Sequence, residues 1–252
     1  MSLWEALLLG LVQGLTEFLP VSSSGHLVIF QHFLGIHQTG LVFEVLVHLA
    51  TLLAVLVAFW PDIWNLLRHP TDRLVGFILA GAIPTAIIGF VFEPILKPLF
   101  SSVRIVAVML IVTGILLVVS DFYGKGKKGL GQMRLTDALL IGTVQGLAIT
   151  PGISRSGSTI VAALLSGLNR DAAARYSFLL SVPVILGANI FELRDLPLGV
   201  DACLIPYLVG MLAAALSGYL AIKVFLKLLK KGKLWYFSLY CWVVALLVLI
   251  FS

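Results

Sequence analysis

The segment "QGLTEFLPVSSSGH", residues 13–26, places polar and helix-breaking residues inside a strongly apolar region. Leu7-Leu8-Leu9 precedes it, and "LVIF", residues 27–30, follows it. A carboxylate, three serines and a histidine therefore lie between flanks that are suited to lipid. Ionisable groups are costly inside a bilayer and usually mark a functional site. The segment predicts both an interrupted membrane helix and such a site.

The composition is that of an integral membrane protein. The chain has 252 residues, of which 60% are hydrophobic and 12% charged, and its mean hydropathy is +1.08, above the range of soluble domains. Apolar runs of about 20 residues, the length that crosses a bilayer, occur six times: at 41–60, 74–92, 103–120, 173–191, 203–222 and 234–251. The net charge of +5 does not indicate a nucleic-acid partner, because no soluble module with a basic, aromatic face is present.

Two further segments are too short to cross the membrane. Residues 3–18 favour a helix of about 24 Å at 1.5 Å per residue, which Pro20 and Gly25 then interrupt. A second short helix is expected over 27–34. Two such helices around the polar turn 19–26 predict a re-entrant hairpin, which a membrane tolerates where protein or a watery cavity satisfies the backbone.

The hairpin recurs 132 residues later. "GLVQGL" at 10–15 aligns with "GTVQGL" at 142–147, and "SSSG" at 22–25 aligns with "SRSG" at 154–157. We therefore predict an all-α integral membrane protein with one membrane domain, 1–252, built from repeats of approximately 1–121 and 134–252. Each repeat holds one re-entrant hairpin and three transmembrane helices, so the repeats have inverted topology. Their polar turns, 19–26 and 150–159, should meet near the membrane midplane.

The Lys and Arg residues divide unevenly between the two sides of this layout. Three lie on one side, at Lys97, Arg104 and Arg194. Thirteen lie on the other: Arg68, Arg73, Lys125, Lys127, Lys128, Arg134, Arg170, Arg175, Lys223, Lys227, Lys230, Lys231 and Lys233. The positive-inside rule assigns the crowded side to the cytoplasm. We expect a multi-pass protein of the bacterial inner membrane, with both termini on the outer face and a site that opens outward.

The first polar turn offers groups for a cation and for an anion. Gln13 and Glu17 are four residues apart and share one helix face, where an amide and a carboxylate can converge on a ligand or metal ion. Glu17 is a functional candidate, the alternative being a side chain that reaches the interface. Ser22-Ser23-Ser24-Gly25 suits either a phosphate or a simple helix cap. His26 is a candidate base, nucleophile or ligand, or a histidine with only a structural hydrogen bond.

The second polar turn, "TPGISRSGSTI", supplies the opposite charge. Arg155 stands among hydroxyl-bearing residues, namely Ser154, Ser156, Ser158 and Thr159. A guanidinium at membrane depth needs an anionic partner, and its planar fork suits phosphate oxygens. A structural ion pair with Glu17 is the alternative. Together the two turns predict a single cavity suited to phosphoryl transfer, in which positioning and charge stabilisation do most of the catalysis.

The two motifs "QGLTEFLPVSSSGH" and "PGISRSGST" resemble the signature regions of the bacterial undecaprenyl pyrophosphate phosphatases, a family linked to bacitracin resistance. The resemblance covers essentially the whole chain. It implies an enzyme that removes the terminal phosphate of undecaprenyl pyrophosphate, giving the monophosphate that cell-wall synthesis reuses. It also implies a divalent cation, Mg²⁺ or Ca²⁺. The family's functional positions fall on Gln13, Glu17, Ser22, Ser23, His26, Ser154, Arg155, Ser156 and Thr159.

The predicted site follows from these residues and the resemblance together. The catalytic residues are Glu17, Ser23, His26 and Arg155; the phosphate-binding residues are Ser22, Ser24, Gly25, Ser154, Ser156 and Thr159. Glu17 and Gln13 are the metal candidates, although Gln13 stands where many family members have glutamate, which weakens the case for two metal carboxylates. Ser23 is the preferred nucleophile with His26 as its base, and water or His26 is the alternative attacker.

Two rival functions are compatible with parts of the pattern. Inverted repeats with broken helices are typical of secondary transporters, so a phosphate-lipid flippase or an anion transporter is the non-enzyme alternative. The "SSGH" element also echoes the type-2 phosphatidic acid phosphatases, but Thr159 stands where that family has histidine, and its Lys-x6-Arg-Pro element is absent. The predicted partners are a prenyl pyrophosphate lipid and the membrane, and a homodimer is left open. Cys203 and Cys241 are expected to pack in the membrane core.

Overall fold

The computed structural model describes residues 1–36, 40–192, 204–232 and 234–252, and this part of the chain is helical, with no named strand. The helices are α1 (Leu3–Phe18), α2 (Ser23–Phe33), α3 (Gly40–Ala58), α4 (Trp60–Arg68), α5 (Arg73–Leu96), α6 (Val103–Tyr123), α7 (Leu135–Leu147), α8 (Arg155–Leu165), α9 (Arg170–Glu192), α10 (Leu204–Lys230) and α11 (Trp235–Phe251). The predicted all-α class is confirmed.

Five helices in the described ranges, α3, α5, α6, α9 and α10, are long and apolar enough to cross a bilayer. They correspond to the first five predicted spans. The sixth predicted span, 234–251, is α11, whose 17 residues lie at the lower limit of about 17–25 residues for a transmembrane helix. Large apolar side chains such as Leu139, Leu212 and Leu246 are exposed on the outside of the bundle, as expected for a surface that faces lipid.

Two pairs of short helices stand where the hairpins are predicted, α1–α2 and α7–α8. The predicted start of the second helix at residue 27 is wrong, because α2 begins at Ser23. The Ser22 side chain accepts a hydrogen bond from the Gly25 N–H and so caps the helix four residues earlier than the apolar run suggests. His26 therefore lies in the first turn of α2 and not in the connecting turn.

The same close helix crossing occurs in both halves of the chain. A Cβ on Gly10 of α1 would lie 2.3 Å from the carbonyl oxygen of Gly210 on α10. A Cβ on Gly142 of α7 would lie 2.0 Å from the carbonyl oxygen of Gly81 on α5. Gly10 and Gly142 are equivalent in the sequence repeat. Only glycine allows these backbones to touch, so the repeated "G-x-V-Q-G-L" motif fixes how each short helix packs on a long one.

An aromatic cluster anchors the end of α1 inside the bundle. Phe178 of α9 contacts Phe18, Phe59 and Phe225, with ring centroids 5.8, 5.2 and 6.1 Å apart. Phe18, Phe178 and Phe225 are almost completely buried. Because Phe18 is the last residue of α1 and adjoins Glu17, this packing holds the glutamate at a defined place in the core.

Candidate active site

Glu17 is the centre of the site and joins the two halves of the protein. Its side chain is 4% exposed. One carboxylate oxygen, Oε1, accepts from the Arg155 guanidinium in an ion pair. The other, Oε2, accepts from the Ser23 hydroxyl and from Gln13 Nε2, the latter at 3.0 Å. Two of the other three catalytic candidates, Ser23 and Arg155, therefore bind the Glu17 carboxylate, together with the metal candidate Gln13.

The two polar turns touch each other, as the sequence repeat predicts. A Cβ on Gly25 would lie 3.1 Å from the Cα of Gly152, and a Cβ on Gly157 would lie 3.1 Å from the Cβ of Pro20. The Ser156 hydroxyl donates to the Leu19 carbonyl across the same junction, at 3.3 Å. These approaches are reciprocal under the repeat, so each turn is the other's neighbour. The junction brings Arg155 against Glu17.

The candidate phosphate-binding serines act as helix caps in this structure. Ser22 caps α2, and Ser154 caps α8 by accepting from the Gly157 N–H at 3.1 Å. Each cap hydroxyl also lies near a second one, Ser22 with Ser24 at 3.4 Å and Ser154 with Ser156 at 3.3 Å. Ser22 has φ +69°, a region that residues other than glycine adopt at a cost and that often marks functional turns.

Thr159 and Thr113 support the second turn from behind. The Thr159 hydroxyl donates to its own helix and contacts the Ser177 hydroxyl of α9, so it braces α8 and is already engaged. Thr113 of α6 accepts from the Ser154 N–H at 3.0 Å and donates to the Gly152 carbonyl at 2.9 Å. Sequence reasoning missed Thr113, because a threonine in an apolar span carries no signal that links it to a turn 39 residues away.

His26 is buried and has partners on both ring nitrogens. Nδ1 lies 2.7 Å from the Ser22 carbonyl oxygen, and Nε2 lies 2.8 Å from the Tyr240 hydroxyl. The predicted pairing of Ser23 with His26 as its base is not what the structure shows, because the Ser23 hydroxyl donates to Glu17 instead. Both ring nitrogens of His26 are already engaged, by the Ser22 carbonyl and the Tyr240 hydroxyl. Sequence reasoning also missed Tyr240, 214 residues away in an apolar span.

His26 and Arg155 do not line one common cavity in the described part of the chain, which differs from the predicted single cavity. His26 borders an apolar groove of about 780 Å³. The groove is lined by Val12, Leu15, Thr16, Leu19, Val21, His26, Phe30, Leu228, Lys231, Tyr236, Phe237 and Tyr240. Arg155 borders only a small void, too small for a water molecule, which is lined by Phe18, Gln145, Ser156, Thr159, Ser177, Phe178 and Ser181. The Glu17–Arg155 ion pair and the serine turn lie at the junction of the two hairpins, and neither Glu17 nor Arg155 lines the groove.

Comparison with known proteins identifies the family. The sequence profile described as "Bacitracin resistance protein BacA" matches residues 6–247. The chain belongs to this family. It is 49% identical to "Undecaprenyl-diphosphatase" of Halothermothrix orenii over 256 residues, covering 100% of this chain and 99% of the relative. It is 46% identical to the protein of that name from Carboxydothermus hydrogenoformans, covering 99% and 97%. It is 39% identical to that from Methanosphaera stadtmanae, covering 98% and 97%.

In this BacA-family chain, Arg155 and Gln13 each have one polar atom that can bind a ligand. Arg155 Nη1 and Gln13 Oε1 are buried and have no hydrogen-bond partner in the described part of the chain. A free guanidinium nitrogen next to the ion pair is a donor for an anion. A free amide oxygen next to Glu17 is a donor atom for a hard cation, which prefers oxygen ligands. Within the same part of the chain, no three His, Cys, Asp or Glu residues gather into a metal cluster.

The donor set therefore suits a divalent cation only where water and substrate oxygens complete its ligands. Mg²⁺ is commonly held by one or two carboxylates, with water and substrate phosphate oxygens completing its ligands. Glu17, Gln13 Oε1 and the neighbouring hydroxyl of Ser23 match that requirement, whereas a metal cage made wholly of protein side chains does not fit here.

Proposed function

We propose that this chain hydrolyses undecaprenyl pyrophosphate to undecaprenyl phosphate and inorganic phosphate, returning the carrier lipid to cell-wall synthesis. One observation carries the proposal: a buried carboxylate from the first repeat binds a hydroxyl and a guanidinium at the junction of two polar turns. That set supplies an activated oxygen and a holder for phosphate. Full-length relatives named "Undecaprenyl-diphosphatase" support the substrate.

Arg155 binds the pyrophosphate in this proposal. Its Nη2 is held by Glu17, which fixes the guanidinium plane, and its buried Nη1 is free to donate to a phosphate oxygen. The N–H groups at the start of α8 lie in the same turn and favour negative charge. Charge that develops on the phosphoryl oxygens in the transition state is thus met by a donor that is already in position.

Ser23 is the nucleophile, and Glu17 takes the place that the sequence assigned to His26. The Ser23 oxygen attacks the terminal phosphorus while its proton passes to Glu17 Oε2, to which it already donates. The bond from that phosphorus to the bridging oxygen breaks, and undecaprenyl phosphate leaves. Water then hydrolyses the phosphoserine, and the proton on Glu17 returns to the serine oxygen. A water molecule attacking directly is the alternative, and Ser23→Ala separates the two.

A divalent cation, Mg²⁺ or Ca²⁺, is part of the proposal. Glu17 and Gln13 Oε1 would hold it, with phosphate oxygens completing its ligands. It would supply charge neutralisation for the pyrophosphate, because the charge of Arg155 is already balanced in part by Glu17. Gln13 donates through Nε2 to Glu17, so Gln13 Oε1 is left to bind the cation.

The apolar groove suits the lipid part of the substrate. At about 780 Å³ it lies within the usual range of ligand cavities, roughly 300–1,000 Å³. Its walls are mostly aliphatic and aromatic, and His26 at its edge belongs to the turn that carries Ser23. A prenyl chain can lie here while its headgroup reaches the polar turns. The excess of Lys and Arg on one side supports placement in the bacterial inner membrane, with both termini and the site facing outward.

The test is phosphate release by the purified protein in detergent. We expect release from a long-chain prenyl pyrophosphate, loss of release with a chelator, and recovery with added Mg²⁺. Hydrolysis needs no sealed compartment, whereas flipping or transport does. Phosphate release in detergent therefore distinguishes an enzyme from a transporter. We expect Ser23→Ala to remove nearly all activity and the wild type, when quenched during turnover, to carry phosphate on the 22–26 peptide. An active Ser23→Ala variant would leave water as the attacker, and an inactive wild type would refute the proposed function.

A further inference from the structure

Tyr240 lies outside both signature motifs, yet its side chain links α11 to His26, one of the predicted catalytic residues. Its hydroxyl is 2.8 Å from His26 Nε2. The two rings are also nearly parallel, at an interplanar angle of 9° with centroids 5.6 Å apart. Two independent contacts, one through the hydroxyl and one through the ring, therefore hold the histidine to α11.

The partners of the imidazole decide which nitrogen carries the proton. A backbone carbonyl oxygen can only accept, so the Ser22 carbonyl at 2.7 Å requires a proton on His26 Nδ1. In the neutral ring Nε2 then has a lone pair and accepts from the Tyr240 O–H. When the ring gains a proton, Nε2 becomes a donor and the phenol oxygen can turn and accept. Tyr240 can therefore serve both charge states of His26, which an apolar residue in that place cannot do.

The surroundings explain why this hydroxyl points at the histidine. Tyr240 forms part of the wall of the apolar groove, where most lining side chains offer no hydrogen bond. A phenol hydroxyl in such a place is costly without a partner. His26 is also a groove residue and is the partner that the structure shows. The tyrosine and the histidine thus meet in the wall of the groove that is proposed to hold the prenyl chain.

We propose that Tyr240 is a positioning residue for His26, which fixes the Nδ1–H form of the ring and its orientation at the edge of the groove. The inference rests on the proposed hydrolysis and adds to it a residue that neither motif contains. Since Ser22 and Ser23 precede His26 by one helical turn, a fixed ring also fixes the carbonyl that it binds and the turn that presents the nucleophile. Without the hydroxyl, Nε2 is left without a partner in a buried place.

The experiment is a double-mutant cycle on the intact protein. Tyr240→Phe keeps the stacked ring and removes only the hydroxyl. We expect kcat to fall about 10- to 100-fold, with KM within about twofold, because buried Nε2 loses its partner and the turn that presents Ser23 is no longer held. In a His26→Ala background the same change should alter the rate less than about twofold. Single-turnover phosphate release followed over hours keeps the slow variants measurable. Tyr219→Phe on α10 removes a hydroxyl that does not contact His26 and should match wild type.

Two results would overturn the proposal. One is a Tyr240→Phe variant within about twofold of wild type. The other is an equal loss in both backgrounds, which would mean that Tyr240 acts only by shaping the groove. A second measurement does not depend on activity: nitrogen NMR of histidine-labelled protein should show Nδ1 protonated in the wild type, with the Nε2 resonance of His26 displaced by Tyr240→Phe. If the wild type releases no phosphate but this NMR result is obtained, the proposed function fails while the contact stands.

Discussion

Replacement of Arg155 by lysine tests the phosphate-binding role most directly. The guanidinium has two terminal nitrogens with separate tasks, since Nη2 pairs with Glu17 and Nη1 is buried and free. Lysine has one nitrogen, so it can keep the ion pair or meet the phosphate but cannot reproduce the fork. Loss of one charge-stabilising donor costs about 3–4 kcal/mol in the transition state. We therefore expect kcat for Arg155→Lys to fall by about 10²- to 10³-fold.

The assay is phosphate release from a long-chain prenyl pyrophosphate, with protein melting measured in parallel. Arg155→Ala should lose at least as much activity and some stability, because it leaves the buried Glu17 carboxylate unpaired. Arg175→Lys is the matched control: Arg175 also pairs with a carboxylate, that of Asp62, but its side chain is 41% exposed, where ion pairs contribute little. Turnover by Arg155→Lys within a few fold of wild type would show that the second nitrogen has no role in holding phosphate.

Three further outcomes are expected. Glu17→Gln should weaken activation by Mg²⁺ about tenfold or more as well as lowering the rate; an unchanged metal titration with a lower maximum would leave Glu17 as an acid/base group only. A single cysteine at Lys127 should react with impermeant reagents from the cytoplasmic side and one at Ser101 from outside, and labelling of both from one face would contradict the inverted repeats. Gly142→Ala should cost about 1–3 kcal/mol of stability, seen as a lower melting temperature, because its Cβ would lie 2.0 Å from a backbone oxygen. Gly131→Ala is the control: a Cβ there meets nothing within 4 Å, so the melting temperature should not change.

Features encoded by local pattern were predictable from the sequence. The apolar runs gave the long helices, and the repeated glycines and glutamines gave the two equivalent hairpins. The repeat predicted that the two polar turns meet, and the ion pair of Arg155 with Glu17 was the alternative to phosphate binding by Arg155. Both alternatives that the residues left open, the serine caps and the ion pair, are present in the structure.

Features encoded by tertiary contact were not predictable. The start of α2 depended on whether Ser22 would cap, and a serine run offers several equivalent choices. That choice placed His26 in the first turn of a helix, while the Ser23 hydroxyl donates to Glu17. Tyr240 and Thr113 lie in apolar spans where one polar group has no periodicity to reveal its partner. Such residues are found only when helices distant in sequence are placed side by side.

The ion pair between Glu17 and Arg155 has a consequence for the duplicated architecture. Under the repeat Glu17 corresponds to Ile149, and Arg155 corresponds to Ser23, while Gln13 and Gln145 match. The carboxylate therefore belongs to the first repeat and the guanidinium to the second, and neither repeat has both. Two first halves brought together would carry two carboxylates and no guanidinium, and two second halves the reverse. Each repeat therefore supplies a charged group that the other lacks, and the site forms only where a first repeat meets a second repeat.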